Sequence, residues 1–169
     1  MTVEEMKAKM DDKFIAGSIK GLMIQEILEG VSEISGRNNK LKALQNNKPD
    51  VVKEVVRLIL DKSIKMTSSA GEAKKIIDRN KKPTYTIDPS TALASIDSRM
   101  VLIKRFRQDS DQPYNTFQSE KMLMSLSSMF SEMDCQLLAG MFSKKMPYKG
   151  ITVSLVNAAY GDFIVKRED

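Results

Sequence analysis

Apolar residues recur at three- and four-residue spacing along most of the chain, which is the period of an amphipathic α-helix. The first clear stripe consists of Leu22, Ile24, Ile27, Leu28, Val31 and Ile34. The second begins just after Pro49, a residue that favours the first turn of a helix, and consists of Val51, Val52, Val55, Leu58 and Ile59. No segment has convincing strand character. The pattern predicts an all-α protein, a single compact domain of about nine helices.

Several helix starts are indicated by a polar cap with a partner three residues later. These pairs are Thr2 with Glu5, Ser69 with Glu72, Asn115 with Gln118, and Ser131 with Asp134. Asp88 and Pro89 predict the start of a further helix that contains RMVLIKRF. The clearest loop is the basic, proline-bounded stretch RNKKPTYTIDP at 79–89. We divide the chain into an N-terminal helical arm, 1–20, and a domain, 21–165.

The composition is that of a globular chain. With 169 residues it can bury a core without disulfides, and its single cysteine, Cys135, cannot form an internal one. No apolar run approaches the roughly 20 residues that a membrane helix needs. The N-terminus MTVEEMKAKM has no apolar signal core. We therefore expect a protein of the cytoplasm, that of a bacterial host if a phage encodes it, with no membrane partner.

Positive charge is concentrated in one part of the sequence. Residues 1–34 carry a net charge of −3, residues 35–86 of +8, residues 87–135 of −2 and residues 136–169 of +2. A fold that brings the two basic segments together would create one basic face. Such a face favours a polyanion, most simply nucleic acid.

Many catalytic chemistries are absent from the sequence. The chain has no histidine, which removes His-based acid–base catalysis, Ser-His-Asp and Cys-His nucleophiles and His metal sites. One cysteine excludes a zinc ribbon, and neither the P-loop nor the G-x-G-x-x-G pattern occurs. These absences favour a binding module without catalytic residues, metal or cofactor.

Three stretches, in order, carry a resemblance to a known family. Residues 23–60 join an apolar helix, the turn SGRNNK, a short Lys-containing helix and a long apolar helix. MVLIKRF stands where the family has a middle helix, and 137–164 combine an apolar helix, a basic turn, a glycine and TVSLVN. The chain from about Gly21 resembles the N-terminal helical DNA-binding domain of ATP-dependent DNA ligases, most closely of the T-even phage type. The stretch at 63–115 matches poorly, and 1–20 have no counterpart.

The resemblance implies an all-helical domain that grips double-stranded DNA, across the minor groove and on both sides of a nick, mainly through the backbone. In the family an adenylation domain with the motif K-x-D-G and an OB-fold domain follow. This sequence contains no such motif: KPDV at Lys48 lacks the glycine, and KRED follows at 166–169. We therefore expect a non-catalytic module, with a separate nucleotidyltransferase or another replication protein as a further partner, as in the small subunit of a split ligase.

The resemblance places the DNA contacts in two basic turns. We name residues 35–40 the opening turn and residues 149–154 the closing turn. Glycine would let the backbone approach a phosphate, hydroxyls would donate hydrogen bonds to it, and lysine and arginine would supply charge. Two lysines just before the closing turn are added to the set. The predicted DNA-binding residues are Ser35, Gly36, Arg37, Asn38, Asn39, Lys40, Lys144, Lys145, Lys149, Gly150, Thr152 and Ser154.

An alternative hypothesis assigns the chain to protein binding. A phage-derived domain of this kind can serve as an adaptor that acts on a replication or defence protein. The Met-rich segment 122–142 and the acidic first helix are the candidate surfaces, although methionines on apolar helix faces are more often core.

Overall fold

The structure is a computed structural model that describes residues 2–80 and 92–164, and nearly all its elements are α-helices. In chain order they are α1 (Val3–Ile15), α2 (Ile24–Glu33), α3 (Arg37–Asn46), α4 (Pro49–Leu60), α5 (Ala70–Asn80), α6 (Ile96–Ile103), a 3-10 helix (Lys104–Phe106), α7 (Thr116–Met129), α8 (Glu132–Ser143) and α9 (Val153–Tyr160). Within the two described ranges there is no strand, only an isolated bridge between Met66 and Arg107. The prediction of an all-α protein with about nine helices is confirmed.

The chain forms two compact units. The first consists of Met1–Arg57 with Tyr148–Asp169, and the second of Leu58–Pro147. The division into an arm, 1–20, and a domain, 21–165, stays a prediction. Most of the predicted loop at 79–89, with Asp88 and Pro89, lies outside the described residues. Its first two positions, Arg79 and Asn80, belong to α5, where the Asn80 amide donates to the Ile76 carbonyl (2.8 Å).

The predicted helix caps are present. Thr2 and Glu5 form the reciprocal capping box at α1, and Asn115 and Gln118 form the one at α7. The Ser131 hydroxyl accepts a hydrogen bond from the Asp134 amide at the start of α8. Ser69 accepts from the Glu72 amide at α5, and Pro49 begins α4 as expected. These starts were predictable because each cap uses side chains close in sequence.

The predicted start of the helix before MVLIKRF is wrong. The described residues 92–95 are not helical, and α6 begins at Ile96 with Ser95 and Ser98 as its capping box. The Ile96 amide donates to the Asp134 carboxylate at 3.4 Å. A side chain of α8 thus satisfies one of the first N–H groups of α6, and this contact between distant residues selects the later start.

The core of the first unit lies among α2, α3, α4 and α9. Its fully buried side chains include members of the predicted apolar stripes together with Leu44, Val56 and Val156: Ile24, Ile27, Leu28, Val31, Leu44, Val52, Val55, Val56 and Val156. The Tyr160 hydroxyl donates to the Leu44 carbonyl (3.0 Å), and the Gln45 amide donates to the Ala159 carbonyl (3.0 Å). These bonds tie α9 to α3, so residues more than a hundred positions apart share one unit.

The first helix is attached to this unit at its C-terminal end. Phe14 is buried, and a Cβ atom at Gly30 would lie 2.6 Å from its ring, so glycine makes room for the phenyl group. Asn47 donates to the Phe14 carbonyl and Asn46 to the Ile15 carbonyl, both at 2.8 Å. The carbonyl groups at the end of α1 are thereby satisfied by side chains next to the end of α3.

The core of the second unit is built around α5, α7 and α8 and contains an aromatic cluster. The Phe106 ring meets the rings of Tyr114 and Phe142 edge-on, with centroids 5.1 and 5.2 Å away. The Phe106 carbonyl accepts a hydrogen bond from the Thr67 amide (2.7 Å), which lies far from it in sequence. The buried Ser119 hydroxyl is hydrogen-bonded to the hydroxyls of both Thr67 and Ser68.

Candidate nucleic-acid interface

The opening turn presents the N-terminus of α3 to solvent. Gly36 is the N-cap residue with φ 90°, a backbone conformation that favours glycine, and it provides no side-chain hydrogen bond to the first turn. Ser35, Arg37 and Asn38 are exposed. The first turn of α3 contains no acidic residue. An open helix N-terminus with an adjacent arginine attracts anions, because its N–H groups point outward at the positive end of the helix dipole.

Asn39 holds the opening turn in shape. Its side-chain amide donates to the carbonyl of Ser35 at 3.1 Å, across the glycine. This side chain, which was predicted to contact DNA, therefore also bridges the opening turn. Asn39 remains exposed, and the other donor of its amide group can still reach a ligand.

The closing turn leads into the N-terminus of α9. Gly150 has φ 79°, Ile151 is buried, and Thr152 is the N-cap residue, whose hydroxyl accepts from the Leu155 amide at 3.2 Å. Because the Thr152 oxygen is the acceptor in this bond, its O–H is available to donate. Lys149, Thr152 and Ser154 are exposed, and no acidic residue lies in the first turn of α9. The helix begins three residues after Gly150, which places the lysine and glycine in the preceding turn.

The structure brings the two turns together through Lys40. A Cβ atom built on Gly150 would lie 3.5 Å from the Lys40 Nζ and 3.6 Å from its Cε. The Lys40 ammonium donates to the carbonyls of Val31 (2.7 Å) and Ser32 (3.0 Å), near the end of α2. Lys40, the last residue of the opening turn, thus lies next to Gly150 of the closing turn, which is 110 residues away in sequence.

Lys40 was predicted as a phosphate contact, and its ammonium is half-buried and hydrogen-bonded within the protein. The last turn of α2 contains no basic residue of its own, so Lys40 supplies the positive charge at the negative end of that helix. This positioning role was not recognised from the sequence. The available signal was the lack of a basic side chain at the end of α2, followed a few residues later by a lysine.

Lys144 and Lys145 belong to the second unit, whereas both turns belong to the first. Lys144 is the C-cap residue of α8 in the left-handed conformation (φ 59°), and its ammonium donates to the Leu58 carbonyl at 2.7 Å. Burial lowers the pKa of Lys144 to about 8, against the raising effect of the Asp61 carboxylate. Lys145 is exposed. The Lys144 ammonium therefore satisfies a carbonyl near the end of α4. As DNA contacts, Lys144 and Lys145 both stay predictions.

The candidate protein-binding segment at 122–142 is mixed. Met141 is fully buried, Met122, Met129 and Met133 are half-buried, and Met124 has 49% of its surface exposed. Most of its methionine surface thus packs inside the second unit. Among residues 2–80 and 92–164, no helix is long and apolar enough to cross a membrane, and no group of metal-ligating side chains is assembled.

Comparison with protein-family models, with curated proteins and with solved structures finds no match to this chain. The candidate interface combines two glycine-containing turns, two helix N-termini, the exposed cations Arg37 and Lys149, and the hydroxyl groups of Thr152 and Ser154.

Proposed function

We propose that this chain is a non-catalytic module that binds double-stranded DNA, nicked duplex in particular, through the sugar–phosphate backbone. The opening and closing turns of the first unit would make the contacts. The observation that carries the proposal is the packing of the Lys40 side chain against Gly150, which makes one surface of two basic turns far apart in sequence. The resemblance to the ligase DNA-binding domain independently selected both turns.

The groups on this surface suit phosphate oxygens. Arg37 and Lys149 supply exposed positive charge, and Thr152 and Ser154 supply hydroxyl donors. The N-termini of α3 and α9 add backbone N–H groups and the positive ends of their dipoles. Contacts of this kind position a protein on DNA but carry no sequence information, so we propose binding without strong sequence preference.

The absence of a K-x-D-G motif and of histidine from the sequence supports binding without catalysis by this chain. A nucleotidyltransferase on a separate chain is the partner that the family resemblance suggests. In such an arrangement this module would supply the grip on the duplex, and the partner would supply the chemistry of adenylation and nick sealing.

Charge reversal of the two exposed cations tests the proposal. The double variant Arg37→Glu with Lys149→Glu replaces attraction to phosphate by repulsion at both turns. We expect its affinity for a fluorescently labelled nicked duplex to fall roughly 100-fold at moderate salt. The plot of the logarithm of the association constant against the logarithm of the salt concentration should become less steep by roughly two units. Fluorescence anisotropy titrations at several salt concentrations measure both quantities.

The matched control is Lys7→Glu with Lys9→Glu on α1, which makes the same change in net charge at exposed positions. This variant should lose much less affinity, because the lysines lie outside both turns. Circular dichroism and thermal unfolding establish that each variant is folded. Equal losses of affinity in the two double variants would mean that only the net charge of the protein matters for DNA binding. An unchanged affinity of the folded Arg37→Glu/Lys149→Glu variant would disprove the role of the turns.

A further inference from the structure

The first helix has an apolar stripe that nothing in the described structure covers. Val3, Met6 and Met10 follow a three-and-four spacing and are 82%, 54% and 54% exposed. They are the three large hydrophobic residues that the first unit leaves exposed within its described part. Phe14 continues the same helical face and is buried in the unit. The stripe is thus the outward extension of a face that already packs at its C-terminal end.

This part of α1 is held by few contacts. Every residue from Thr2 to Met10 is exposed, and the attachment to the unit is at Phe14, Ile15 and the following Gly17. Isolated helices of about this length are marginal in water, and a surface helix normally buries its apolar face. Two exposed turns that keep a capping box and a methionine stripe therefore indicate a surface prepared for a partner.

The charges beside the stripe select the kind of partner. On a helical projection at 100° per residue, Lys7 lies on one side of the stripe and Lys9 on the other, while the acidic residues lie farther round the helix. The acidic residues are Glu4, Glu5, Asp11 and Asp12. Lysines at the flanks of an apolar seam pair with carboxylates at the flanks of the opposing seam.

The same charges disfavour two other occupants. A second copy of α1, packed antiparallel, would place Lys7 against Lys7 and Lys9 against Lys9, because equivalent flanking positions face each other in that arrangement. An anionic membrane surface would meet four carboxylates against three lysines on this helix. The paired copy leaves the flanking lysines facing like charges, and the membrane surface would repel the carboxylates, which outnumber the lysines on this helix.

We propose that the Val3–Met6–Met10 stripe of α1 docks an amphipathic helix of another protein, one whose apolar residues are flanked by Asp or Glu. The binding is weak, because three side chains form a much smaller surface than the roughly 800 Å² per partner of stable complexes. Methionine suits such a site, since its flexible side chain adapts to different apolar partners. This surface lies on α1 and contains no residue of the two DNA-binding turns, so the proposal does not depend on DNA binding.

Designed peptides test the stripe directly. The probe is a labelled peptide of about three heptads with Leu at the two seam positions and Glu at the flanking positions, and the control peptide has Lys at the flanks. In anisotropy titrations with the full chain we expect the Glu peptide to bind at least roughly tenfold more tightly than the Lys peptide. Equal binding of both peptides, or no binding of the Glu peptide, would overturn the proposal.

Two variants separate the apolar and charged contributions. Met6→Gln with Met10→Gln keeps helix propensity and side-chain length but removes the apolar surface. The affinity of this variant for the Glu peptide should be roughly tenfold lower. Lys7→Glu with Lys9→Glu should reverse the preference so that the Lys peptide binds better. Undiminished binding by the Met variant, or an unchanged preference in the Lys variant, contradicts the proposal.

Two controls identify other causes. Phe117→Gln with Met124→Gln removes exposed apolar side chains from α7 and should leave peptide affinity unchanged; a loss equal to that of the Met variant would mean unspecific apolar adhesion. In sedimentation experiments we expect the wild-type chain to be monomeric. Self-association that Met6→Gln/Met10→Gln abolishes would instead assign the stripe to a second copy of this chain. A negative result in the peptide experiments does not change the result expected for DNA binding by the Arg37→Glu/Lys149→Glu variant.

Discussion

At the scale of single residues, Lys144 and Lys145 show how differently two adjacent lysines are used. Lys145 is exposed, whereas the Lys144 ammonium donates to the Leu58 carbonyl and lies near the buried Asp61 carboxylate. Lys144 also adopts the left-handed conformation that ends α8. Both lysines contribute equally to the sequence charge, but the structure commits only the first to holding a helix end.

Removal of the Lys144 ammonium should therefore lower stability. In Lys144→Met the Leu58 carbonyl loses its donor and Asp61 loses a neighbouring positive charge, so we expect the free energy of unfolding to fall by about 1–2 kcal/mol. Lys145→Met, the matched control, should change it by less than about 0.5 kcal/mol. Urea denaturation measures both, and equal small effects would show that the hydrogen bond contributes no net stability.

Asp134 is a second residue whose surroundings decide its behaviour. Its side chain is buried, and burial raises the pKa of Asp134 to about 6, with the hydrogen bond from the Ile96 amide opposing the shift and the Asp97 carboxylate adding to it. The folded state therefore binds the Asp134 proton more tightly than the unfolded chain, whose Asp pKa is about 3.9. The contribution of Asp134 to the free energy of unfolding is therefore greatest below about pH 4 and decreases as the pH rises through 6.

Asp134→Asn should remove that dependence. Asparagine stays neutral and its amide oxygen can still accept from Ile96, so the variant should be more stable than the wild type at pH 7, by at most about 3 kcal/mol. The stability difference should disappear as the pH is lowered from 7 to 4. Denaturation at a series of pH values measures this, and a constant difference across the range would mean that Asp134 does not titrate there.

At the scale of elements, the candidate site is formed by the beginnings of two helices. The beginnings of α3 and α9 each follow a glycine with positive φ, Gly36 immediately and Gly150 two residues before the Thr152 cap. A Cβ at Gly150 would meet the Lys40 side chain only at ordinary contact distance. The backbone conformation, rather than space, therefore requires glycine at this position.

Gly150→Ala tests this requirement. An alanine at φ 79° is strained, so we expect a loss of about 1 kcal/mol of unfolding free energy, and a reduced affinity for nicked duplex if the turn approaches a phosphate. The control is Gly71→Ala in α5, where a Cβ has open space and helix propensity improves, so stability should stay level or rise. If Gly150→Ala matches the control in both measurements, the turn is not strained and glycine there serves no approach to DNA.

At the scale of the whole chain, the segments before Arg57 and after Tyr148 form one unit, although the second unit separates them in sequence. The DNA-binding proposal depends on this, because each turn by itself is an ordinary helix start. The hydrogen bonds of Tyr160 and Gln45 to α3 and α9 backbone place the closing turn beside Lys40. Local sequence patterns cannot encode such a meeting, since it depends on which apolar faces pack together.

By itself, the sequence determined the helical class, the positions of α2, α3 and α4, and the caps at Thr2, Asn115 and Ser131. These features depend on periodicity and on side chains three residues from their partners. The tertiary structure alone decided the start of α6 at Ile96 and the use of Lys40 and Lys144 at helix ends. In each of these cases the hydrogen-bond partner is distant in sequence or belongs to another helix, and only packing brings it within reach.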